Sequence, residues 1–361
     1  MKFEKIQYLD YEGNLSKNFK REISNDDLIK MYKTMHLTRR IDERCITLQR
    51  QGVINFVIGS RGEEGCAVAS AAALTNDDWL FFQYREQAAI LWRGLSTQEY
   101  MDHMLLNEND PSLGRQMSNH YGKRELNSVT VSSTLATQIP NAAGAAYAMK
   151  IRNEPNVSLC YLAEGSASEG DFHAGVHMGA VRRVPCIFFC RNNKYAISTS
   201  TENQYRGDGI VPRSIGYGIQ GFRVDGNDVF AVFDVVARAK EICLSGEGPV
   251  LIEAMTYRAG AHSTADDPTR YRKEGEAEEW DPKDPIRRLR LYLDKQGLWD
   301  EKQDKDYLEA MYAEVEDAIK VARNTPKPGI DKMFQDVYHD VPWNLQEQYE
   351  FLQKFNEEEG H

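Results

Sequence analysis

The feature of this chain that most constrains its fold is an alternation of short apolar runs with helix-like runs over residues 129–257. The apolar runs are rich in β-branched and aromatic residues and are predicted as strands: Val129–Val131, Val157–Ala163, Cys186–Arg191, Gly221–Val224 and Val250–Tyr257. Runs with helical spacing separate or follow them: Ala142–Arg152, Asp171–Arg183, Val229–Leu244 and Ile286–Gln296. Apolar strands that alternate with helices predict an α/β fold, with a mainly parallel sheet and helices on both faces.

The segments on either side of this alternation are predicted to be largely helical. Ser24 and Asp27 have the Ser-x-x-acid spacing of a helix start, and Gly52 supplies a stop. A small-residue helix is predicted from about Glu63 to Leu74, and a buried strand begins at Trp79. Residues 260–283 are polar, with two prolines, which is typical of a functional loop or a disordered one. We therefore divide the chain into an N-terminal arm (1–24), an α/β domain (25–283) and a helical C-terminal extension (284–361).

Composition and charge exclude several classes of protein. The net charge is −11, from 44 basic and 55 acidic residues, and no basic block stands out, so nucleic acid is a poor partner. No apolar run is long enough to cross a bilayer, and the first residues lack the apolar core of a secretory signal. The six cysteines lie mostly in apolar stretches, which predicts buried free thiols. We expect a protein of the bacterial cytoplasm, or of the mitochondrial matrix if the chain is mature or trimmed, that is neither secreted nor membrane-bound.

Polar segments directly follow consecutive predicted strands, where ligands sit in a parallel sheet. Glu164, Gly165 and Ser166 follow the strand that ends at Ala163, and Arg191-Asn192-Asn193-Lys194-Tyr195 comes one strand–helix–strand unit later. A Glu carboxylate, an Asn amide oxygen and a backbone carbonyl are hard oxygen ligands that suit Mg²⁺ beside a phosphate. Taken singly, each segment could also be an ordinary turn. The spacing predicts a phosphate–metal site and leaves that alternative open.

Two other segments could add charge to such a site. Gln83-Tyr84-Arg85-Glu86 offers a guanidinium, and Arg258 and His262 follow the last predicted strand. His262 is the best candidate for proton transfer, because imidazole titrates near neutrality. Two other patterns, typical of a dinucleotide site and of a zinc site, are not supported by their surroundings in the sequence. The glycines of 216–221 have dinucleotide-binding spacing, but a strand and not a helix follows them, and His173 and His177 lack the acidic residue of a zinc-protease helix.

At this point the residues carry a resemblance to a known family. Glu164-Gly165 followed by Asn192-Asn193 resembles the thiamine-diphosphate motif, which is usually Gly-Asp-Gly through to Asn-Asn. Five longer segments resemble the branched-chain 2-oxo acid dehydrogenase E1α family: Ser132–Pro140, Phe188–Thr199, Gln204–Gly209, Arg223–Val232 and Ile252–Arg258. The likeness runs from about residue 25 to 340. It implies a thiamine-diphosphate-binding fold for the α/β domain, with thiamine diphosphate, Mg²⁺ and a K⁺ ion as cofactors.

The resemblance also implies roles for single residues. The side chains of Glu164 and Asn193 and the carbonyl of Tyr195 would bind Mg²⁺. Arg85, Arg191 and His262 would hold the diphosphate, with Gly165 and Ser166 nearby. Ser133 and Leu135 match positions around the middle of the cofactor, while Phe56, Gln83 and Tyr84 match positions that line the substrate side. Ser132, Thr137 and Gln138 match a potassium site.

The implied activity needs a second chain. The family's E1 component decarboxylates a 2-oxo acid such as 3-methyl-2-oxobutanoate and passes the acyl group to a lipoyl acyltransferase (E2). A β subunit supplies the Glu that activates the cofactor, so we expect activity only in an α2β2 heterotetramer. Two alternatives stay open: the E1α of a pyruvate or acetoin dehydrogenase, and a non-catalytic structural or regulatory α-like subunit. Ala163, Ala261 and the 55–61 segment depart from the family's pattern and favour the second alternative mildly.

Overall fold

The computed structural model describes residues 2–359, and a parallel β-sheet forms the centre of that part of the chain. The strands are β1 (Lys5–Ile6), β2 (Trp79–Phe81), β3 (Ser128–Val129), β4 (Ser158–Ala163), β5 (Cys186–Asn192), β6 (Tyr195–Ala196), β7 (Thr199–Ser200), β8 (Gln220–Asp225) and β9 (Val250–Met255). β6 and β7 form an antiparallel hairpin. The other seven pair in parallel in the order β1-β8-β9-β5-β4-β2-β3. The predicted α/β fold with a parallel sheet is confirmed.

Helices cover both faces of this sheet and continue beyond it. They are α1 (Asn25–Arg50), α2 (Glu64–Ala72), α3 (Gln87–Arg93), α4 (Thr97–Leu105), α5 (Gln138–Arg152), α6 (Gly170–Arg182), α7 (Thr201–Gln204), α8 (Arg213–Tyr217), α9 (Val229–Leu244), α10 (Pro285–Lys295), α11 (Glu301–Asn324) and α12 (Trp343–Glu359). The predicted start of α1 is confirmed, because the Ser24 hydroxyl accepts a 3.0 Å hydrogen bond from the Asp27 amide. Gly52, with φ +75°, follows its end. None of the helices within residues 2–359 combines the length and apolar character that crossing a bilayer requires.

The two faces of the sheet have separate hydrophobic cores, which explains why the strands are apolar throughout. Alternate side chains of a strand point to opposite faces. Along β5, Ile187 and Phe189 join the core made with α1, α2, α3 and α9, whereas Phe188 and Cys190 join the core made with α5 and α6. All four are fully buried. A strand between two cores has no solvent-facing side, so the polar residues of the central strands lie mostly at their ends; Glu253 in β9 is an exception, buried with Arg223 as its ion-pair partner.

The N-terminal arm is fixed to the edge of the sheet. β1 pairs with β8, and the Asp228 carboxylate accepts hydrogen bonds from the Tyr8 and Leu9 amides at 2.6 and 2.7 Å. The sequence analysis did not predict β1, because a two-residue strand has no measurable periodicity. Between Met255 and Pro285, the predicted loop holds only two 3-10 turns, Pro268–Arg270 and Glu278–Lys283. The three-part division of the chain at 24/25 and 283/284 stays a prediction.

Candidate active site

A cavity of about 380 Å³ opens where β4, β5 and β9 end, at their carboxyl-terminal edge. Register explains why separate segments meet there: Ala163 on β4 is level with Arg191 on β5, and Asn192 on β5 is level with Met255 on β9. The next residues of each strand therefore emerge side by side. The cavity brings together most of the predicted site residues: Phe56, Tyr84, Arg85, Ser133, Leu135, Glu164, Gly165, Ser166, Asn193, Tyr195 and His262.

The predicted metal ligands Glu164 and Asn193 lie next to each other in the wall of this cavity. The Asn193 amide N–H donates to Glu164 Oε2 at 3.2 Å, and Asn193 Oδ1 accepts from the Tyr195 amide at 3.2 Å. Both side chains are buried, and burial raises the pKa of the Glu164 carboxyl. A cation would favour the ionised carboxylate and so oppose this shift. The carbonyl of Tyr195, the third predicted ligand, already accepts one hydrogen bond from Arg258 Nη1 at 2.9 Å.

Two buried guanidinium groups face the same cavity, and their hydrogen bonds go almost entirely to neutral atoms. Arg85 donates to the Gly59 carbonyl and, at 2.7 Å, to the His262 carbonyl, while the nearest carboxylate oxygen, on Glu63, is 3.7 Å from its Nε. Arg258 donates to backbone carbonyls and to the Tyr271 hydroxyl, and has no carboxylate within 4 Å among residues 2–359. Burial lowers the pKa of Arg85. Arg258 therefore lacks an ion-pair partner in the described part of the chain, and Arg85 shares Glu63 with Arg191. Because a buried charge that is not fully balanced is costly, this pair indicates a binding site for an anion.

His262 lies beside Arg85 in a defined tautomer. Its Nδ1 is 3.1 Å from Arg85 Nη2, and since a guanidinium can only donate, Nδ1 is the acceptor and Nε2 carries the proton. Burial, with the charges of Arg85 and Arg258, lowers the pKa of His262 to about 4. The prediction of an imidazole that titrates near neutrality is wrong for this environment. With its pKa lowered to this extent the ring is neutral at pH 7, and its Nε2 carries a proton that a ligand could accept.

Arg191, a predicted diphosphate ligand, does not line the cavity. Its guanidinium is fully buried and pairs with Glu63 Oε2 at 3.1 Å and with Glu86 Oε1. Neither Glu63 nor Glu86 was identified from the sequence as part of the site, although an acid that directly precedes a small-residue helix was a usable signal for Glu63. The charge of Arg191 is thus balanced from within the protein, and its contact with a ligand stays a prediction.

Ser133 is oriented by a residue that the sequence analysis missed. His120 Nδ1 faces the Ser118 carbonyl at 3.0 Å and must donate to it, so in a neutral ring Nε2 accepts from the Ser133 hydroxyl at 2.7 Å. The proton of Ser133 is therefore directed to His120, and the lone pairs of its oxygen remain for a ligand. His120 also lines the cavity. A histidine in a loop carries no local signal that distinguishes this arrangement from an ordinary buried one.

The predicted potassium ligands surround a much smaller space. Ser132 and Gln138 border a void of about 10 Å³ together with Gln83 and Ser166, whereas Thr137 does not border it. Gln83 donates to the Ser166 hydroxyl at 3.0 Å, and Gln138 donates to the Thr130 carbonyl at 2.8 Å. A void of this size has room for about one water molecule or a small ion. The potassium site stays a prediction.

Comparison with known proteins identifies one family, on which the family model and the individual relatives agree. The model of the family described as "Dehydrogenase E1 component" matches residues 32–331. The 2-oxoisovalerate dehydrogenase subunit alpha, mitochondrial, of Homo sapiens is 48% identical over 331 residues, which cover 91% of this chain and 74% of that protein. Subunit alpha 2 of the Arabidopsis thaliana enzyme is 44% identical over 342 residues, covering 94% and 72%. The alpha subunit of Caenorhabditis elegans is 44% identical over 326 residues, covering 90% and 75%. The resemblance stated from the motifs is confirmed.

Proposed function

This chain belongs to the dehydrogenase E1 component family, and from this premise we propose that it is the thiamine-diphosphate-dependent α subunit of a branched-chain 2-oxo acid dehydrogenase E1. The relatives in human, Arabidopsis and Caenorhabditis are named as alpha subunits of 2-oxoisovalerate dehydrogenase. The observation that carries the proposal is the pair of buried guanidinium groups, Arg85 and Arg258, facing a cavity that also holds Glu164 and Asn193. Cations for an anion and oxygen ligands for a divalent metal together suit a metal-bound diphosphate.

The residues present fit the cofactor by their chemistry. Arg85 and His262 would hold the diphosphate, and the oxygens of Glu164, Asn193 and Tyr195 would bind Mg²⁺. Gly165 permits close approach at the wall of the cavity, where an added Cβ would lie 2.9 Å from the Cβ of Ala196. Arg191 would stand behind the wall, with its charge balanced by Glu63 and Glu86. A potassium ion at Ser132, Thr137 and Gln138 is part of the proposal.

Each cavity residue then has a chemical task in the decarboxylation. Thiamine diphosphate, when bound, supplies the electron sink for the pair of electrons left as CO₂ departs. His262, neutral and protonated at Nε2, can donate a hydrogen bond to an oxygen that gains negative charge. Ser133 presents lone pairs and accepts from a donor on the ligand. Phe56 and Leu135 give apolar contacts, which exclude water and suit an aliphatic substrate side chain.

Exposed apolar side chains at the rim of the cavity indicate that a partner subunit covers it. Met117, Leu135 and Ile197 border the cavity and are 55%, 37% and 52% exposed although they are apolar. We propose that an E1 β subunit covers them in an α2β2 heterotetramer and that the acyl group passes to a lipoyl acyltransferase. The relatives' names place them in mitochondria. For this chain we propose the mitochondrial matrix or the bacterial cytoplasm.

The test is co-expression with the β subunit, followed by 2-oxo-acid-dependent reduction of an artificial electron acceptor. We expect turnover that requires both chains, thiamine diphosphate and Mg²⁺, and that is faster with 3-methyl-2-oxobutanoate than with pyruvate. A preference for pyruvate would instead favour a pyruvate dehydrogenase E1α. Absence of turnover together with absence of metal-dependent cofactor binding in calorimetry would support the non-catalytic alternative and overturn the proposal.

A further inference from the structure

Glu63 is a buried carboxylate that the proposed reaction does not use, although it contacts three residues of the site. It directly precedes α2 but makes no capping hydrogen bond to that helix. Its side chain instead points to the ends of other elements, with 0% exposure. A carboxylate at this depth needs specific partners, because an unpaired buried charge is strongly unfavourable.

The partners of Glu63 come from two separate segments. Oε1 accepts from Asn193 Nδ2 at 2.9 Å, and Oε2 accepts from Arg191 Nη1 at 3.1 Å. Arg85 Nε lies 3.7 Å from Oε1. One carboxylate thus joins the residues after β2 to those at the end of β5, and it touches a proposed metal ligand and two arginines of the proposed diphosphate site.

The contact with Asn193 determines which atom of the amide can face a metal. A carboxylate can only accept, so the amide nitrogen must point to Glu63 and Oδ1 must point away from it, towards the Tyr195 amide and the cavity wall. If the amide turned over, its NH₂ group would take the place of Oδ1, and an amide NH₂ does not ligate Mg²⁺. Residues that orient a metal ligand in this way commonly contribute 10- to 100-fold to metal affinity.

We propose that Glu63 is a positioning residue of the active site, which holds Asn193 with its amide oxygen directed to Mg²⁺, while its contacts with Arg85 and Arg191 partly balance their positive charge. This inference rests on the proposed function and deepens it. It also predicts different effects on the binding of metal and on the binding of an anion. Removing the charge of Glu63 weakens metal binding through Asn193, yet it removes a negative charge close to an anion site and so does not weaken the binding of a metal-free anion.

The chain contains a matched control next to Glu63. Glu64 is equally buried and has its own ion pair, with Arg39 Nε at 2.8 Å, but it contacts none of Asn193, Arg191 or Arg85. Glu63→Gln and Glu64→Gln are therefore the same near-isosteric change at adjacent buried positions. Only the first one alters the contacts to the proposed site.

The experiment measures binding in the full chain assembled with its β subunit. Mg²⁺ is titrated by calorimetry in the presence of saturating thiamine diphosphate, and inorganic pyrophosphate is titrated in the presence of a chelator. We expect Glu63→Gln to raise the Mg²⁺ dissociation constant about 10- to 100-fold, with pyrophosphate binding unchanged or tighter. Glu64→Gln should change the Mg²⁺ constant less than about 3-fold, and thermal unfolding checks that both variants are folded.

A double variant distinguishes the orientation of the residue 193 side chain from a non-specific disturbance of the site. In Glu63→Gln with Asn193→Asp, the donor and acceptor are exchanged, so the hydrogen bond can form again and an oxygen faces the metal. We expect it to recover most of the Mg²⁺ affinity lost in Glu63→Gln, and the double-mutant cycle to be non-additive. Equal losses in Glu63→Gln and Glu64→Gln, or additive losses in the double variant, would overturn the inference alone. A parent assembly that binds no thiamine diphosphate with metal would overturn the proposed function with it.

Discussion

Replacing Glu164 by Gln tests the centre of the proposed site through two measurements. The free energy of unfolding without ligand should change little, and the stabilisation by ligand should fall strongly. Without ligand, Glu164 is a buried carboxyl whose pKa is raised by burial, and it accepts hydrogen bonds from the Asn193 amide and Gln204. A neutral isostere avoids the cost of burying the charge. We expect the unliganded variant to be within about 1 kcal/mol of the parent chain in its free energy of unfolding, on either side.

With ligand, the two proteins should differ strongly. A ligand at 100 times its dissociation constant stabilises a protein by about 2.7 kcal/mol. If the loss of the Glu164 carboxylate weakens binding 100-fold, the same concentration stabilises the variant by only about 0.4 kcal/mol. Thermal unfolding of the assembled subunits, with and without thiamine diphosphate and Mg²⁺, measures this difference as a midpoint shift of several degrees in the parent protein that nearly vanishes in the variant.

A second buried glutamate provides the control. Glu253 on β9 is fully buried and accepts from the Ile210 amide at 2.9 Å and from Arg223 at 3.1 Å, but it does not line the cavity. Glu253→Gln should lower the unliganded stability by about 1–3 kcal/mol and keep the response to ligand. The reasoning is refuted if Glu164→Gln keeps the full midpoint shift, or if it loses as much unliganded stability as Glu253→Gln.

Three further predictions follow from the geometry. His262 has a pKa of about 4 in the folded chain, below its unfolded value near 6.5, so the stability linked to it is present above pH 6.5 and lost towards pH 4. Urea unfolding at pH 7 and pH 5 measures how much free energy of unfolding is lost on acidification. We expect that loss to be about 1–2 kcal/mol smaller in His262→Gln than in the parent chain, allowing for partial exposure of the ring. Gly62→Ala should destabilise by more than about 2 kcal/mol in urea, because φ is +95° and a Cβ would lie 2.2 Å from the Tyr257 carbonyl oxygen; a neutral result contradicts that contact. Phe188→Ala, in the core against α5 and α6, should cost about 3–5 kcal/mol in the same assay, and a cost below 1 kcal/mol would contradict its full burial.

Local patterns in the sequence were enough for the strands and helices that carry the sheet. β4, β5 and β9 lie between two apolar cores, so each appears in the sequence as a largely apolar run with a polar boundary, interrupted in β9 by Glu253. Because parallel strands end at one edge, those boundaries predicted that Glu164, Asn193 and His262 lie close together, and all three line one cavity. β1 was not predicted from the sequence, since its pairing with β8 depends on contacts between residues more than two hundred positions apart.

What the sequence determined by itself is therefore which residues emerge at the carboxyl end of the sheet, because periodicity and strand ends are local properties. What only the tertiary structure decided is the state of those residues. The neutral imidazole of His262, the pairing of Arg191 with Glu63 and Glu86, and the orientation of Asn193 by Glu63 all depend on burial and on partners distant in the chain. Charge and hydrogen-bond direction in a buried site are set by what surrounds each group, and a linear sequence does not specify those surroundings.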